Sequence, residues 1–194
     1  MINNSISFGR KIPVATCQVK NLEKNKFTPA TVYEFDCHDR SDMEELREAD
    51  GEWEFKRALY NDMLNTRGRI LRGGTDDSRY FVLEDKKSKD IIGMSEVTTK
   101  GKTINIEYLE TERDKKYKYV GQALIAAIGT EVLHEGGKKL TVGCPYRTAL
   151  SFYEDTCQFD KSPKGKLQFE EEGLKNFIKR TGKRTEEKVL NVRA

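Results

Sequence analysis

The stretch 103-TINIEYLETERDKKYKYVGQALIAAIGTEVLHEG-136 decides the fold. Residues 103–110, TINIEYLE, alternate apolar and polar side chains as a half-buried strand does. Residues 111–118, TERDKKYK, make a charged turn. From Tyr119 onward, Val120, Leu124, Ile128 and Val132 recur at helical spacing, Ile125 and Ala127 widen the apolar face, and Gly136-Gly137 stops the helix. The joint is Lys118-Tyr119-Val120-Gly121-Gln122-Ala123. The first N–H groups of a helix lack intrahelical partners and lie at the positive end of its dipole, so a Lys-rich approach to such a start is a physical anion site. Gly121 and Ala123 leave room for a ligand near that backbone. The same pattern also fits an ordinary strand-to-helix connection that happens to be basic.

Working outward, two further strand-like runs precede it, Arg79–Glu84 and Asp90–Thr98. With the strand at 103–110 they predict an antiparallel meander, with Gly93 as a bulge. After the helix comes KKLTVGCP, a strand that makes strand–helix–strand a crossover unit in one sheet. A helix over Thr148–Thr156, a strand at Leu167–Phe169, an amphipathic helix over Gly173–Arg180 and a last strand at Lys188–Val192 complete that side. Upstream, Thr31–Cys37 reads as the first core strand, with Tyr33 and Phe35 inward. Ser41 and Glu44 make a capping box for a short acidic helix, Asp42–Ala49, which Gly51 breaks. A second helix over Glu52–Asn65 carries Phe55, Leu59 and Met63 on one face, and Arg67–Ser78 is loop. Residues 1–30 are set apart as an extension packed on the domain formed by 31–194. Within them Pro13–Lys20 is a strand, Asn21–Asn25 a turn, and Phe27 onward a hairpin return.

The chain has 194 residues, enough for one domain with a sizeable core. Hydrophobic residues make up 36% and charged residues 35%, so the chain is highly charged yet not disordered in bulk. The net charge of +3 does not point to nucleic acid, and no aromatic-rich recognition motif is present. The segment 161–194 is the exception, with ten Lys/Arg against five Asp/Glu. No apolar run is long enough for a membrane span and the N-terminus lacks an apolar signal core, so a soluble cytoplasmic protein is expected. Cys17, Cys37, Cys144 and Cys157 are too dispersed for a metal clip, and Cys37-His38 lacks partners to complete a zinc site, so no metal is expected.

The element order and two sets of residues resemble the GNAT superfamily of N-acetyltransferases. Lys118-Tyr119-Val120-Gly121-Gln122-Ala123 stands where that superfamily has an [Arg/Gln]-x-x-Gly-x-[Gly/Ala] turn, with Lys118 in place of the Arg or Gln. Ala149-Leu150-Ser151-Phe152-Tyr153-Glu154 is similar to its Ala-x-x-Phe-Tyr-Glu helix, with Phe159 as the aromatic that follows. Tyr146 stands where an Asn is common, and Gln158 where a Gly precedes the Phe. The resemblance covers Thr31 to Phe159. It implies an α/β fold, α and β mixed, with a central mixed, mostly antiparallel sheet that splays and is flanked by helices.

It also implies acetyl-CoA as co-substrate. The backbone of Leu109, Glu110 and Thr111 would bind the pantetheine arm as an added strand, and Lys118 with the amides of Tyr119, Val120, Gly121, Gln122 and Ala123 would hold the pyrophosphate. Tyr153 would be the general acid for the departing thiolate. Glu107, on a central strand and assigned a face with Asn105 and Leu109, is the candidate base, with Glu110 as the other carboxylate considered. Plain core and strand packing explains Tyr153 and Glu107 equally simply. An acyl-cysteine route through Cys144 or Cys157 has no histidine placed to activate it. The expected activity is direct acetyl transfer to an amine: a protein lysine or N-terminus, a polyamine or another small amine. The acidic segment Asp39–Glu54 fits the lining of a cationic acceptor's site, though such charge is more often plain solvated surface. The alternative is a catalytically weak GNAT-like acyl-CoA-binding or protein-interaction module. A homodimer is left open.

Overall fold

The stretch quoted above folds as a strand, a crossing turn and a helix. The computed structural model describes residues 11–36, 38–55, 77–112, 116–143, 145 and 147–184. In chain order the elements are β1 (Ile12–Asn21), β2 (Lys26–Phe35), α1 (Arg40–Phe55), β3 (Ser78–Asp85), β4 (Ile91–Lys100), β5 (Thr103–Thr111), β6 (Tyr117–Lys118), α2 (Val120–His134), β7 (Lys139–Val142), a 3-10 turn (Arg147–Ala149), a π-helical turn (Phe152–Cys157), β8 (Asp160–Lys161), β9 (Leu167–Glu170) and α3 (Glu171–Arg184). The strands form one sheet in the order β6-β1-β2-β3-β4-β5-β7-β9-β8. Every neighbouring pair is antiparallel except β5 and β7, which the α2 crossover makes parallel.

Both faces of the sheet are covered, which is why β3 and β4 are buried almost continuously rather than alternately. One face, carrying Val19, Val32, Leu83, Ile92, Val97 and Ile106, packs on α2. Helix α2 is apolar nearly all round because α3 packs on its far side. A Cβ added at Gly129 would lie 2.6 Å from the Leu174 side chain. Glycine at Gly93 on β4 likewise lets α2 approach the sheet, since a Cβ there would lie 2.6 Å from Val120. The opposite face carries Phe35, Tyr80, Val82 and Met94, and Met43 and Leu46 of α1 pack on it. At the far end of α2, Arg79 forks onto Glu34 at 2.7 and 3.0 Å and reaches Glu135 at 2.9 Å, fastening the helix to β2 and β3. Gly136 ends α2 in the left-handed region at φ 74°.

Three expectations change. The boundary expected between Ala30 and Thr31 falls inside β2, which pairs with β1 from Ile12↔Glu34 to Asn21↔Lys26 and with β3 along its other edge. The hairpin is part of the sheet because Val14, Ala15, Cys17 and Val19 bury beneath α2. Helix α1 runs through Gly51 without a break. A mid-helix glycine costs only about 1 kcal/mol, and burial of Met43 and Leu46 offsets it. Its cap is Asp39, whose Oδ1 accepts from the amides of Ser41 at 2.9 Å and Asp42 at 3.1 Å, so Ser41 is not the capping residue. The greater part of the second expected helix (56–65), most of the loop at 67–78 and the final strand at 188–192 lie outside the described residues.

Candidate active site

The sheet comes apart between β5 and β7. Parallel pairing runs from Thr103↔Lys139 to Ile106↔Val142, and the Gly143 amide makes the last bond, 2.9 Å to the Ile106 carbonyl. Strand β7 ends there while β5 continues to Thr111, paired with β4 as far as Gly93↔Thr111. Among the described residues no strand pairs with 107–111 on the β7 side. Leu109, Glu110 and Thr111 therefore lie beyond the last β5–β7 pair, on the side of β5 that faces away from β4.

A β-bulge sits at the fork of that splay. Glu96 pairs with Tyr108 and Val97 with Ile106, which leaves Glu107 as the extra residue of β5. The bulge resets the alternation. The expected face, Glu107 with Leu109 and opposite Tyr108, is corrected: Leu109 packs with Ile104 and Ile106 against α2, whereas Tyr108 and Glu110 turn toward α1. Glu107 stays on the Asn105 side. Its Oε1 accepts from Asn105 Nδ2 at 2.7 Å and from Thr98 Oγ1 at 2.8 Å, and Asn105 is itself held by Thr141 Oγ1 at 2.7 Å. The other oxygen faces Gly143, where a Cβ would lie 3.3 Å from it. The carboxylate is fixed at the point where the strands part.

The start of α2 lies at the same end of the sheet. Tyr119 is in the left-handed region at φ 73° and offers no side-chain cap. The first intrahelical bond is the Ala123 amide to the Tyr119 carbonyl at 2.9 Å, so the amides of Val120, Gly121 and Gln122 precede the helical ladder. Gly121 has a packing reason as well as the expected ligand reason. A Cβ there would lie 2.8 Å from the Phe152 ring and 3.5 Å from Leu109, so the glycine lets β5, α2 and the segment carrying Tyr153 meet. Lys118 is exposed on β6 and pairs directly with Lys20 of β1.

Tyr153 lies in the π-helical turn, 5% exposed, with Phe152 and Phe159 edge-on at ring distances of 5.1 and 5.7 Å. Burial, with a smaller contribution from Cys157, pushes its phenol well above the usual range, so it keeps its proton at neutral pH. Arg180 of α3 holds the end of this turn, donating to the Cys157 carbonyl at 2.8 Å and to the Gln158 side chain. Tyr153 and Leu109 share the α2 side of the sheet, and Glu107 faces the other side at the fork.

Several residues were not singled out from the sequence. Lys20 and Phe27 belong to the expected extension, yet Lys20 pairs with Lys118, and the Phe27 ring stacks on Tyr119 at 6.1 Å. Asp85 anchors the crossing turn. Its carboxylate accepts from the Lys87 and Ser88 amides at 2.8 and 3.0 Å, from Tyr117 Oη at 3.2 Å and from Thr28 Oγ1 at 3.3 Å. Burial alone would raise its pKa, but these donors outweigh it and hold the carboxyl below its usual range. Glu96, 1% exposed in β4, was legible only as an unusual acidic residue inside an apolar run, DIIGMSEVT.

No family model matches the chain, and no curated protein matches it by sequence. Solved structures do match. A protein assigned to the GNAT family from Desulfovibrio desulfuricans aligns with TM-score 0.55 at 13% identity, over 73% of this chain and 98% of that one. A protein assigned as an acetyltransferase from Exiguobacterium sp. 255-15 aligns with TM-score 0.52 at 14% identity, over 76% and 97%. Tetrahymena GCN5 aligns with TM-score 0.50 at 12% identity, over 72% and 82%. At such identities the likeness is one of architecture, and the splayed mixed sheet described above is what is shared: the chain has the fold of the GNAT acetyltransferases.

Proposed function

We propose that the protein is an acetyl-CoA-dependent N-acetyltransferase that moves an acetyl group directly to an amine, on a protein or peptide or on a small molecule. The observation that carries this reading is the parting of β5 from β7 beyond Ile106↔Val142, at the same end of the sheet as the start of α2, which has no side-chain cap. In this reading the pantetheine arm pairs with the backbone of Leu109, Glu110 and Thr111. The pyrophosphate sits on the amides of Tyr119 to Ala123, with Lys118 adding a point charge. The amine nitrogen attacks the thioester carbonyl carbon, the C–S bond breaks, Glu107 takes the proton lost by the amine, directly or through water, and Tyr153 gives its proton to the departing thiolate. A phenol held protonated by burial suits that last step. The cytoplasm, where acetyl-CoA is available, is the compartment this reading implies.

Thermal melting with acetyl-CoA tests the cofactor site, since a ligand that binds only the folded state raises Tm. Thiol release with a panel of amines tests turnover. Tyr153→Phe is expected to lower kcat by about a hundredfold while leaving the acetyl-CoA melting shift in place. Unchanged kcat removes Tyr153 from the acid role. One observation favours the second reading, a binding module without turnover: Tyr153 is packed between Phe152 and Phe159 as a core aromatic would be. A melting shift without thiol release from any amine decides for that reading.

A further inference from the structure

Glu107 is held at the fork by a chain of side chains to which the transfer reading gives no part. The register of the sheet explains where the chain comes from, since cross-strand partners share a face. Asn105 of β5 pairs with Thr98 of β4 on one side and with Thr141 of β7 on the other. Thr98 and Thr141 pair in turn with Ser78 of β3 and Gln168 of β9. A row of uncharged polar side chains thus crosses the sheet, and its middle member stands two residues before Glu107 on the same strand.

The bonds along this row have a direction. A threonine hydroxyl has one proton to give. Thr141 Oγ1 lies 2.7 Å from Asn105 Oδ1 and 3.5 Å from the Ile104 carbonyl oxygen, so its proton goes to Asn105. With Oδ1 engaged there, the NH2 end of the amide is the end that meets Glu107, and Nδ2 donates to Oε1 at 2.7 Å. Turned over, the amide would set its oxygen against the carboxylate, an acceptor facing an acceptor. Thr98 Oγ1 gives the same Oε1 a second bond at 2.8 Å. Both donors therefore fall on one oxygen, and Oε2 has no hydrogen-bond partner among the described residues. Oε2 lies toward Gly143, where a Cβ would come within 3.3 Å of it and of Asn105 Nδ2. Thr141 is buried, so water has little access to take over from its hydroxyl.

We propose that Thr141 is a positioning residue for Glu107. Through Asn105 it fixes which end of the amide meets the carboxylate, and so which carboxylate oxygen is left to take the proton that the amine loses. Its role rests on the acetyl-transfer reading. In that step an N–H bond of the attacking amine breaks with its electron pair kept on nitrogen, an O–H bond forms at Oε2, and Oε1 keeps its two donors. Thr141 acts two side chains away from the proton. Valine would fill its space equally well, so Thr141→Val removes the hydroxyl and little else.

Two measurements on the full-length protein test this. Heteronuclear NMR reads the hold on Asn105 without any turnover. The Asn105 carboxamide protons should exchange with water about tenfold more slowly than those of Asn25, which is exposed in a turn. Thr141→Val should abolish that difference and Thr141→Ser should keep it. Steady-state kinetics with the best amine of the panel then reads the consequence. Thr141→Val should lower kcat about tenfold, the effect of a misplaced catalytic group, with the KM for acetyl-CoA and the acetyl-CoA melting shift unchanged. Thr141→Ser should restore most of the rate, and Thr141→Val should add nothing to a Glu107→Gln variant. Asn105 protons that exchange as fast as those of Asn25, a wild-type kcat in Thr141→Val, no restoration by Thr141→Ser, or a further tenfold loss on top of Glu107→Gln each overturns the proposal. Slow exchange in the wild type with no thiol release from any amine would leave the hydrogen-bonded chain standing, and would remove the transfer reading and the role of Thr141 in it.

Discussion

The crossing turn from β5 to α2 can be undone from a residue outside it. Asp85 accepts four hydrogen bonds. Two come from backbone amides of its own turn and two from side chains that arrive from elsewhere, Tyr117 of β6 and Thr28 of β2. Hydrogen bonds to a charged group are worth about 1.5–3 kcal/mol each in isolation and less than their sum together. Asp85→Ala is therefore expected to cost about 3–4 kcal/mol, a large share of the roughly 5–15 kcal/mol that stabilises an ordinary domain. Asp85→Asn should be far milder. The amide oxygen can keep the two backbone N–H groups, and its NH2 can donate to the two hydroxyls. Thr28 Oγ1 can accept such a bond because its own proton has a second acceptor, the Val19 carbonyl at 3.4 Å. About 1 kcal/mol is expected for the lost charge.

The pH dependence separates these contributions. The folded protein holds Asp85 below its ordinary value of 3.8, so the unfolded chain binds this proton first as pH falls. Stability from the charge is then fully present above that value and is lost as pH drops through the lower, folded value. Urea unfolding of wild type and Asp85→Asn should differ by a constant amount from pH 8 to pH 5, and the difference should shrink toward pH 3. A gap that is the same at pH 7 and pH 3, or an Asp85→Ala variant within about 0.5 kcal/mol of wild type, would falsify the carboxylate clamp. Tyr117→Phe in the same series should cost about 1 kcal/mol, and should add nothing in an Asp85→Ala background.

Asp42 has the opposite sign. Burial and then the neighbouring carboxylates of Asp39, Glu45 and Asp36 outweigh its bond from the Asp36 amide and raise its pKa, so its charge opposes folding once pH rises through that region. Asp42→Asn should leave urea midpoints at pH 7 unchanged or higher, whereas a fall would mean the carboxylate serves the start of α1 in a way the neutral amide cannot. Gly93→Ala drives a Cβ to 2.6 Å from Val120 and 2.9 Å from Leu124, so it should lower stability by about 1–3 kcal/mol, with Val120→Ala in the same chain restoring part of it. Arg180→Lys loses the fork that ties α3 to the π-helical turn. It should lower kcat more than it raises KM for acetyl-CoA if Tyr153 is the acid, and steady-state kinetics on the folded variant would show a pure stability effect as no change in either.

What the sequence could and could not disclose follows from the range over which each interaction acts. Periodicity placed β3, β4, β5, α2, β7 and α3 because each carries its own burial pattern, and the joint at Lys118–Ala123 was visible because helix starts are written locally. The 1–30 boundary went wrong for the opposite reason. Ten-residue strands such as β1 and β2 look marginal alone, and only the α2 face across the sheet makes their alternate residues core. Gly51 marked a helix stop by local propensity, but burial of Met43 and Leu46, a tertiary effect, outweighed it. The site shows the same division in its sharpest form. An alternating strand implies which side chains share a face, and that implication holds from Thr103 to Ile106. It fails after Glu107, because a bulge is a property of the ladder with β4 and not of β5 alone. One extra residue thereby moves Leu109 to the α2 side and brings Tyr108 and Glu110 beside Glu96. Of the two strand carboxylates that the alternation offered, Glu107 is thereby left at the fork of the splay while Glu110 joins the face of β4 that carries Glu96, a separation that only the ladder with β4 decides.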